Sequence, residues 1–290
     1  MEIIHGKDLP FSDLSLKHRN NGLAFKNLFI GQENTPENHL FALVRSVGFY
    51  SPRHKHNFDQ FRYAYKGDIS ISPDKNAAEG ELVYHPEGVC YGPQKDSEGE
   101  RTVLILQFGG TSGQGFLSYR QLEEGQKELA QLGHFEGGKY YRNGSQEGEE
   151  PQDGYEALWE KFNGRRLVYP PGRYKDPIFM NPINYAWRPV DNLANTEGMA
   201  FKKSLGVFTE RETRAEMIKI KKLGQFSIAS ANAIRLLFVV NGAGEVEGRP
   251  WEEESAMRVS PGKEIVLSAN QDAEILLFTL PLLNYYELRI

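Results

Sequence analysis

The chain has 290 residues, of which 39% are apolar and 25% charged, a globular composition with enough apolar mass for a sizeable core, which excludes a disordered protein. Thirty-four basic against 39 acidic residues give a net charge of -5, and with no long like-charge run this excludes a nucleic-acid partner held through phosphates. Met1 to Asp8 lacks the apolar stretch of a secretory signal, no segment approaches the roughly 18 apolar residues of a membrane span, and the one cysteine, Cys90, has no internal disulfide partner; a soluble, cytoplasmic protein with no membrane partner is expected.

In chain order, residues 41–49, 59–71, 80–84 and 101–108 are short β-branched and aromatic runs separated by Asp, Gly, Pro and Asn. They predict strands at the close spacing of a sandwich or barrel rather than of βαβ units. Residues 109–115 are Gly-rich but lack the Gly-Lys-Ser/Thr of a phosphate loop, and read as a linker. Residues 117–132 carry spaced leucines among charges and predict a helix despite Gly125. A Gly-rich acidic loop is expected over 136–154, a short helix over 154–163, and a Pro- and aromatic-rich strap over 168–190. Strands return at 205–208, 214–220, 235–240, 244–247, 264–267 and 273–280. The expected division is therefore two similar β units, 1–115 and 191–290, joined by a helical and Pro-rich connector, 116–190, with internal duplication as the simplest cause. The sequon Asn143-Gly144-Ser145 has no meaning without secretion, and no nucleophile elbow built on Ser is present.

The residues that carry chemistry lie between Gly48 and Gln94. Gly48 is followed after five residues by His54-Lys55-His56, then after three by Gln60 and after six by Gly67. Gly80 is followed after five residues by Pro86-Glu87-Gly88 and then, after two, by Tyr91. This spacing resembles the paired signatures of the cupin superfamily, in which two histidines, a glutamate and a second-signature histidine hold a divalent metal inside a small jelly-roll barrel. Gln60 stands where the family has glutamate and Tyr91 where it has histidine. The resemblance implies an all-β fold of two jelly-roll (double-stranded β-helix, RmlC-like) barrels, a bicupin, whose metal ligands are His54, His56 and Gln60.

Side chains two apart on a strand share a face, so His54, His56, Phe58, Gln60 and Arg62 are expected to point inward together, and Tyr63 and Tyr65 outward. Two imidazoles and a side-chain oxygen suit one first-row divalent ion, Zn, Fe, Ni, Mn or Cu. A neutral Gln60 leaves that ion the stronger Lewis acid. Tyr91 reads as a fourth ligand, a general acid beside the metal, or a filler where a ligand was lost. Arg62 reads either as a clamp for a substrate carboxylate or as half of a structural salt bridge. One of Tyr84 and His85 should face the cavity. Cys90 is expected to be a buried, inert thiol rather than part of the pocket wall. His5, His18, His39 and His134 read as ordinary surface or hydrogen-bonded groups.

Laid on the same template, the second β unit offers Ala229, Ala231 and Arg235, then Ser268, Asn270 and Ala273, so no ligand set survives. It reads as a degenerate cupin, an arrangement that resembles the pirin type, although the pirin ligand motif is not matched. The expected function is a metal-dependent enzyme that carries out isomerase, cyclase, lyase or hydrolytic chemistry on a small oxygenated molecule, carboxylate-bearing if Arg62 is its clamp. A metal-dependent dioxygenase and a metal-free small-molecule binder are the alternatives. The two barrels pack within one monomer or pair in a homodimer.

Overall fold

Runs rich in Val, Ile, Phe and Tyr fit a pleated, half-buried surface, and among the described residues strands take up 49%, beside two α-helices. The computed structural model describes residues 1–13, 23–35, 37–109, 116–144, 146, 148–190 and 199–282. His18, most of the glycine-rich linker and Ser145 of the sequon lie outside the described residues. Contacts divide the chain into one unit of Phe11–Phe179 and another of Met1–Pro10 with Met180–Ile290. No helix among the described residues is long and apolar enough to cross a membrane.

In the unit Phe11–Phe179, one sheet carries, side by side, Leu82–His85, Phe58–Lys66, Glu100–Gly109, His39–Val47 and Leu23–Ile30. All four pairings are antiparallel. The single strand expected over 59–71 is two, Phe58–Lys66 and Ile69–Ser72, because Gly67 takes φ +78° and turns the chain between them. A left-handed backbone costs glycine nothing, and here it ends one strand and starts the next. The sheet buries Leu40, Ala42, Phe58, Ala64, Val83 and Ile105 on the core of this unit.

The helical segment, expected as a connector, belongs to this same unit. Helix α1 (Tyr119–Leu129) begins with a reciprocal capping box between Ser118 and Gln121, which satisfies two otherwise orphaned N–H groups. Helix α2 (Gly154–Asn163) is capped by Asp153, whose side chain accepts from Tyr155 N and Glu156 N. Gly125, an apparent flaw in the α1 pattern, lies where any Cβ would press within 2.8 Å of Leu158 Cδ2, so it lets the helices approach. The helices bury Leu122, Leu129, Leu158 and Trp159 in the unit's core, each contributing about 1.5–3 kcal/mol of apolar burial. Part of the loop expected over 136–154 is instead a hairpin of Gly133–Glu136 and Lys139–Arg142.

The other unit has a sheet of Ser255–Val259, Arg235–Asn241, Ala273–Thr279, Arg214–Ile220 and Ala200–Val207 in spatial order. Numbering each set of five strands in chain order, both sheets run 4-3-5-2-1. The strand order is thus repeated between the units. A second sheet of Gln225–Ile228, Ile265–Ala269, Ala243–Val246 and Arg249–Glu252 completes this unit. Its core is filled by Leu237, Val239, Trp251, Met257, Ile275 and their neighbours. Arg235, the template equivalent of Gln60, is buried and donates to three backbone carbonyls, Ala229 O at 2.5 Å, Ser260 O at 2.8 Å and Lys263 O at 2.6 Å. Its guanidinium is spent on structure.

Candidate functional site

The two signature segments are joined by their backbones. His54 N–H donates to Tyr91 O at 3.0 Å, Tyr91 N–H to His54 O at 2.9 Å, and Gly88 N–H to His56 O at 2.7 Å. The first two bonds form an isolated antiparallel bridge that sets Tyr91 opposite His54. Gly88 sits at φ +76°, and Pro170 O occupies the space any Cβ there would need.

His54, His56, Phe58, Gln60 and Arg62 all line one cavity of about 140 Å³, on the face that period-two alternation assigns them. The two histidines precede the strand Phe58–Lys66 rather than lying in it. Tyr63 and Tyr65 have the other parity and are buried.

Beside the cavity four nitrogen groups surround the Tyr91 hydroxyl. His54 Nε2 and His56 Nε2 are each 3.0 Å from Tyr91 Oη, Arg62 Nη2 is 3.4 Å away and Gln60 Nε2 3.5 Å. His54 Nδ1 lies 2.7 Å from Pro52 O. A carbonyl can only accept, so Nδ1 carries a proton, and in the neutral ring Nε2 keeps its lone pair. In that state the Tyr91 O–H can donate to the lone pair, leaving the rest of the oxygen's capacity as acceptor; a protonated His54 donates to Tyr91 Oη instead. The contacts from Arg62 and Gln60 are long and correspondingly weak.

Gln60, 1% exposed, directs its Oε1 to Gln107 Nε2 at 2.6 Å, and the two residues are opposite each other in register. Of Tyr84 and His85, His85 is on the Tyr91 side, with ring centroids 4.3 Å apart. Neither of its ring nitrogens has a hydrogen-bond partner among the described residues. Burial, then the charge of Arg62 and then His54, hold its pKa well below the ordinary value, so it is neutral. Among the described residues Arg62 has no ion pair with a carboxylate. The cavity's other arginine, Arg101, is paired with Asp96 at 2.9 Å.

The apolar wall includes residues that sequence reasoning missed: Phe116, Tyr119 and Leu122 at and within α1, and Tyr155 from α2. Tyr155 Oη donates to Asn57 Oδ1 at 3.0 Å, which ties α2 to the His54–Gln60 segment. On the opposite face of Phe58–Lys66, Asp59 Oδ1 accepts from Tyr84 Oη at 2.8 Å and Glu87 N at 2.9 Å, while Glu87 pairs with Arg173 at 2.6 Å. Burial, with the nearby charge of Glu87, pushes the Asp59 carboxyl up to about 7. Cys90 is exposed, not buried, and does not line the cavity; Val89 and Tyr91 turn inward on either side of it. His39 is fully buried with Nδ1 2.7 Å from Glu37 O, His5 is 3.1 Å from Ser255 Oγ, and His134 is at the surface.

Among the described residues no three His, Cys, Asp or Glu side chains are grouped to hold a metal ion. A metal here therefore needs Tyr91 or Gln60 among its donors. The donor set fits one: His54 offers a tautomer-fixed Nε2, and the 3.0 Å from either imidazole to Tyr91 Oη matches neighbouring donors around one ion with bonds of about 2.0–2.1 Å.

No protein-family model matches the sequence, and no curated protein matches it. Solved structures do. A proposed dioxygenase from Nostoc punctiforme aligns with a TM-score of 0.63 at 11% identity, covering 96% of this chain and 81% of that one. Oxalate decarboxylase from Bacillus subtilis gives 0.56 at 11%, covering 96% and 76%, and a second structure of that enzyme concerns its Mn(II) centres. The bacterial pirin YhhW from Escherichia coli, in complex with nickel(II), gives 0.53 at 10%, covering 97% and 99%. The neighbours are cupin-type proteins, and the likeness defines the fold of this chain as cupin-type.

Proposed function

We propose that this chain is a two-domain cupin enzyme whose N-terminal jelly roll holds one divalent transition metal and acts on a small oxygenated organic molecule. The C-terminal jelly roll is its degenerate partner, a reading supported by the repeated 4-3-5-2-1 strand order and by Arg235, satisfied by backbone where the template has a ligand. The observation that carries the proposal is the convergence of His54 Nε2 and His56 Nε2 at 3.0 Å on Tyr91 Oη, beside the cavity. His54 and His56 would hold the ion with Tyr91 as an oxygen donor, and Gln60 would join them once its Oε1 is released from Gln107 Nε2. When bound, such an ion supplies Lewis-acid polarisation of a carbonyl, enol or carboxylate oxygen, which serves isomerase, cyclase, lyase or hydrolytic chemistry. Arg62 orients an anionic substrate, and the Tyr91 O–H, already hydrogen-bonded to His54, has a route for its proton. The apolar wall from α1 and α2 keeps bulk water from the reacting atoms.

A metal-free binding cupin is the second reading, favoured by the fact that Tyr91 Oη already satisfies both imidazole Nε2 atoms. Elemental analysis of untagged protein beside a His54→Ala/His56→Ala variant separates the two. About one metal per chain, lost in the variant, is expected; a redox-active metal would favour oxygen-dependent chemistry. No metal after reconstitution with Fe, Ni, Mn, Cu and Zn would overturn the proposal.

A further inference from the structure

We infer that the cavity takes a monocyclic aromatic carboxylic acid, with its carboxylate on Arg62 and its ring among the aromatic side chains beneath α1 and α2. This rests on the proposed reading of the cavity as the substrate site.

Charge comes first. Asp96 and Arg101 neutralise each other in the cavity wall. Among the described residues Arg62 remains as a cation with no carboxylate partner, and its side chain's only hydrogen bond there is the long one to Tyr91 Oη. A half-buried guanidinium presents N–H groups in a planar fork, the complement of a carboxylate, and an entering anion restores the pairing that burial demands. The second feature is Tyr119. Its hydroxyl has no hydrogen-bond partner among the described residues, it lines the same cavity, and it lies close enough to Arg62 to feel that charge. Burial keeps it protonated, so it offers an O–H to the same anion.

Size and wall chemistry identify the rest of the ligand. An enclosed apolar cavity of about 150 Å³ holds a single benzene ring; this cavity is of similar size, about 140 Å³, but partly open and polar at His54, His56, Gln60 and Arg62, so a ring fits its apolar wall with a carboxylate at the polar end. Its walls already form edge-to-face pairs: Phe58 with Phe116 at 5.3 Å, Phe58 with Tyr155 at 5.8 Å and Phe25 with Tyr119 at 4.9 Å. Such edges and faces favour another aromatic ring over an alkyl body of equal size.

The test is calorimetric titration of the full chain, first stripped with EDTA and then metal-loaded, with benzoate, benzamide, cyclohexanecarboxylate and 2-naphthoate. Benzoate should bind the stripped protein at least tenfold tighter than each of the other three. Arg62→Gln should remove most of the benzoate affinity and change that for benzamide far less, a comparison that also reports an intact cavity. Tyr119→Phe should weaken benzoate several-fold. Equal binding of benzoate and benzamide, or benzoate binding that survives Arg62→Gln, would overturn the inference. Stoichiometric metal without benzoate binding to either form overturns it while sparing the metal centre. Benzoate binding with no metal, unchanged in the His54→Ala/His56→Ala variant, upholds the ligand class and refutes the metal-dependent enzyme.

Discussion

Asp59→Asn should stabilise the protein increasingly as pH rises from about 4 to 7, and fully from neutral pH upward. Asp59 is fully buried; its Oδ1 accepts from Tyr84 and Glu87, its Oδ2 has no partner among the described residues, and Glu87 adds a second negative charge nearby. The carboxyl therefore titrates at about 7 in the folded state against 3.8 in its ordinary setting. Between those values the folded chain binds a proton that the unfolded chain does not. Stability thus falls as pH rises through that window, by about 1.4 kcal/mol per unit and about 4 kcal/mol in all. Below about 4 both states are protonated and the contribution is intact. Asparagine keeps the Oδ1 acceptor and abolishes the titration. At pH 8 the variant should gain on the order of 2–4 kcal/mol, after about 1 kcal/mol for altered hydrogen bonds; at pH 4.5 the two proteins should agree within about 1 kcal/mol. Urea unfolding by circular dichroism at pH 4.5, 6, 7 and 8, in EDTA, gives both curves. A variant equally destabilised at every pH would refute the reasoning, since it would make the native charge a favourable, paired one.

Arg173→Met leaves Glu87 buried without its cation and should cost about 3–5 kcal/mol, read as a lowered urea midpoint; a change under 1 kcal/mol would mean that water or another group serves Glu87. Gly88→Ala forces a left-handed φ on alanine and drives a Cβ into Pro170 O. It should destabilise by about 2 kcal/mol or more and speed proteolysis near residue 170. Tyr91→Phe removes the oxygen on which both imidazoles converge and should weaken cobalt(II) binding by about 10–100-fold, seen as a changed visible spectrum; an unaltered spectrum would make Tyr91 a proton donor or a filler rather than a ligand.

Much of the site was legible because it rests on local spacing. The interval between His54, His56, Gln60 and Arg62 fixes which face they share, whatever the rest of the chain does. The alternation that put one of Tyr84 and His85 inside did not say which, because that depends on the register Gln60 with His85 across the sheet. Cys90 was misjudged for a related reason: apolar character suggests burial, but the turn at Gly88 fixes the facing. Asp59 and Glu87 look like surface acids in sequence, and only the Pro-rich segment folding over them, with Arg173, makes them interior groups. The contributions of Tyr119 and Tyr155 were invisible, since nothing near them in sequence says that α1 and α2 close over a cavity formed some 60–100 residues earlier.

The strand Glu2–His5 pairs with Ser255–Val259, Glu2 opposite Arg258, whereas the unit Phe11–Phe179 is continuous in sequence. During synthesis, the continuous unit has all its contacts once residue 179 has cleared the ribosome tunnel. At about 5–20 residues per second, the first strand then waits several seconds more for its partner to be made. Throughout that interval its edge is unpaired, and its short length with the charges of Glu2 and Lys7 disfavours pairing with another nascent chain.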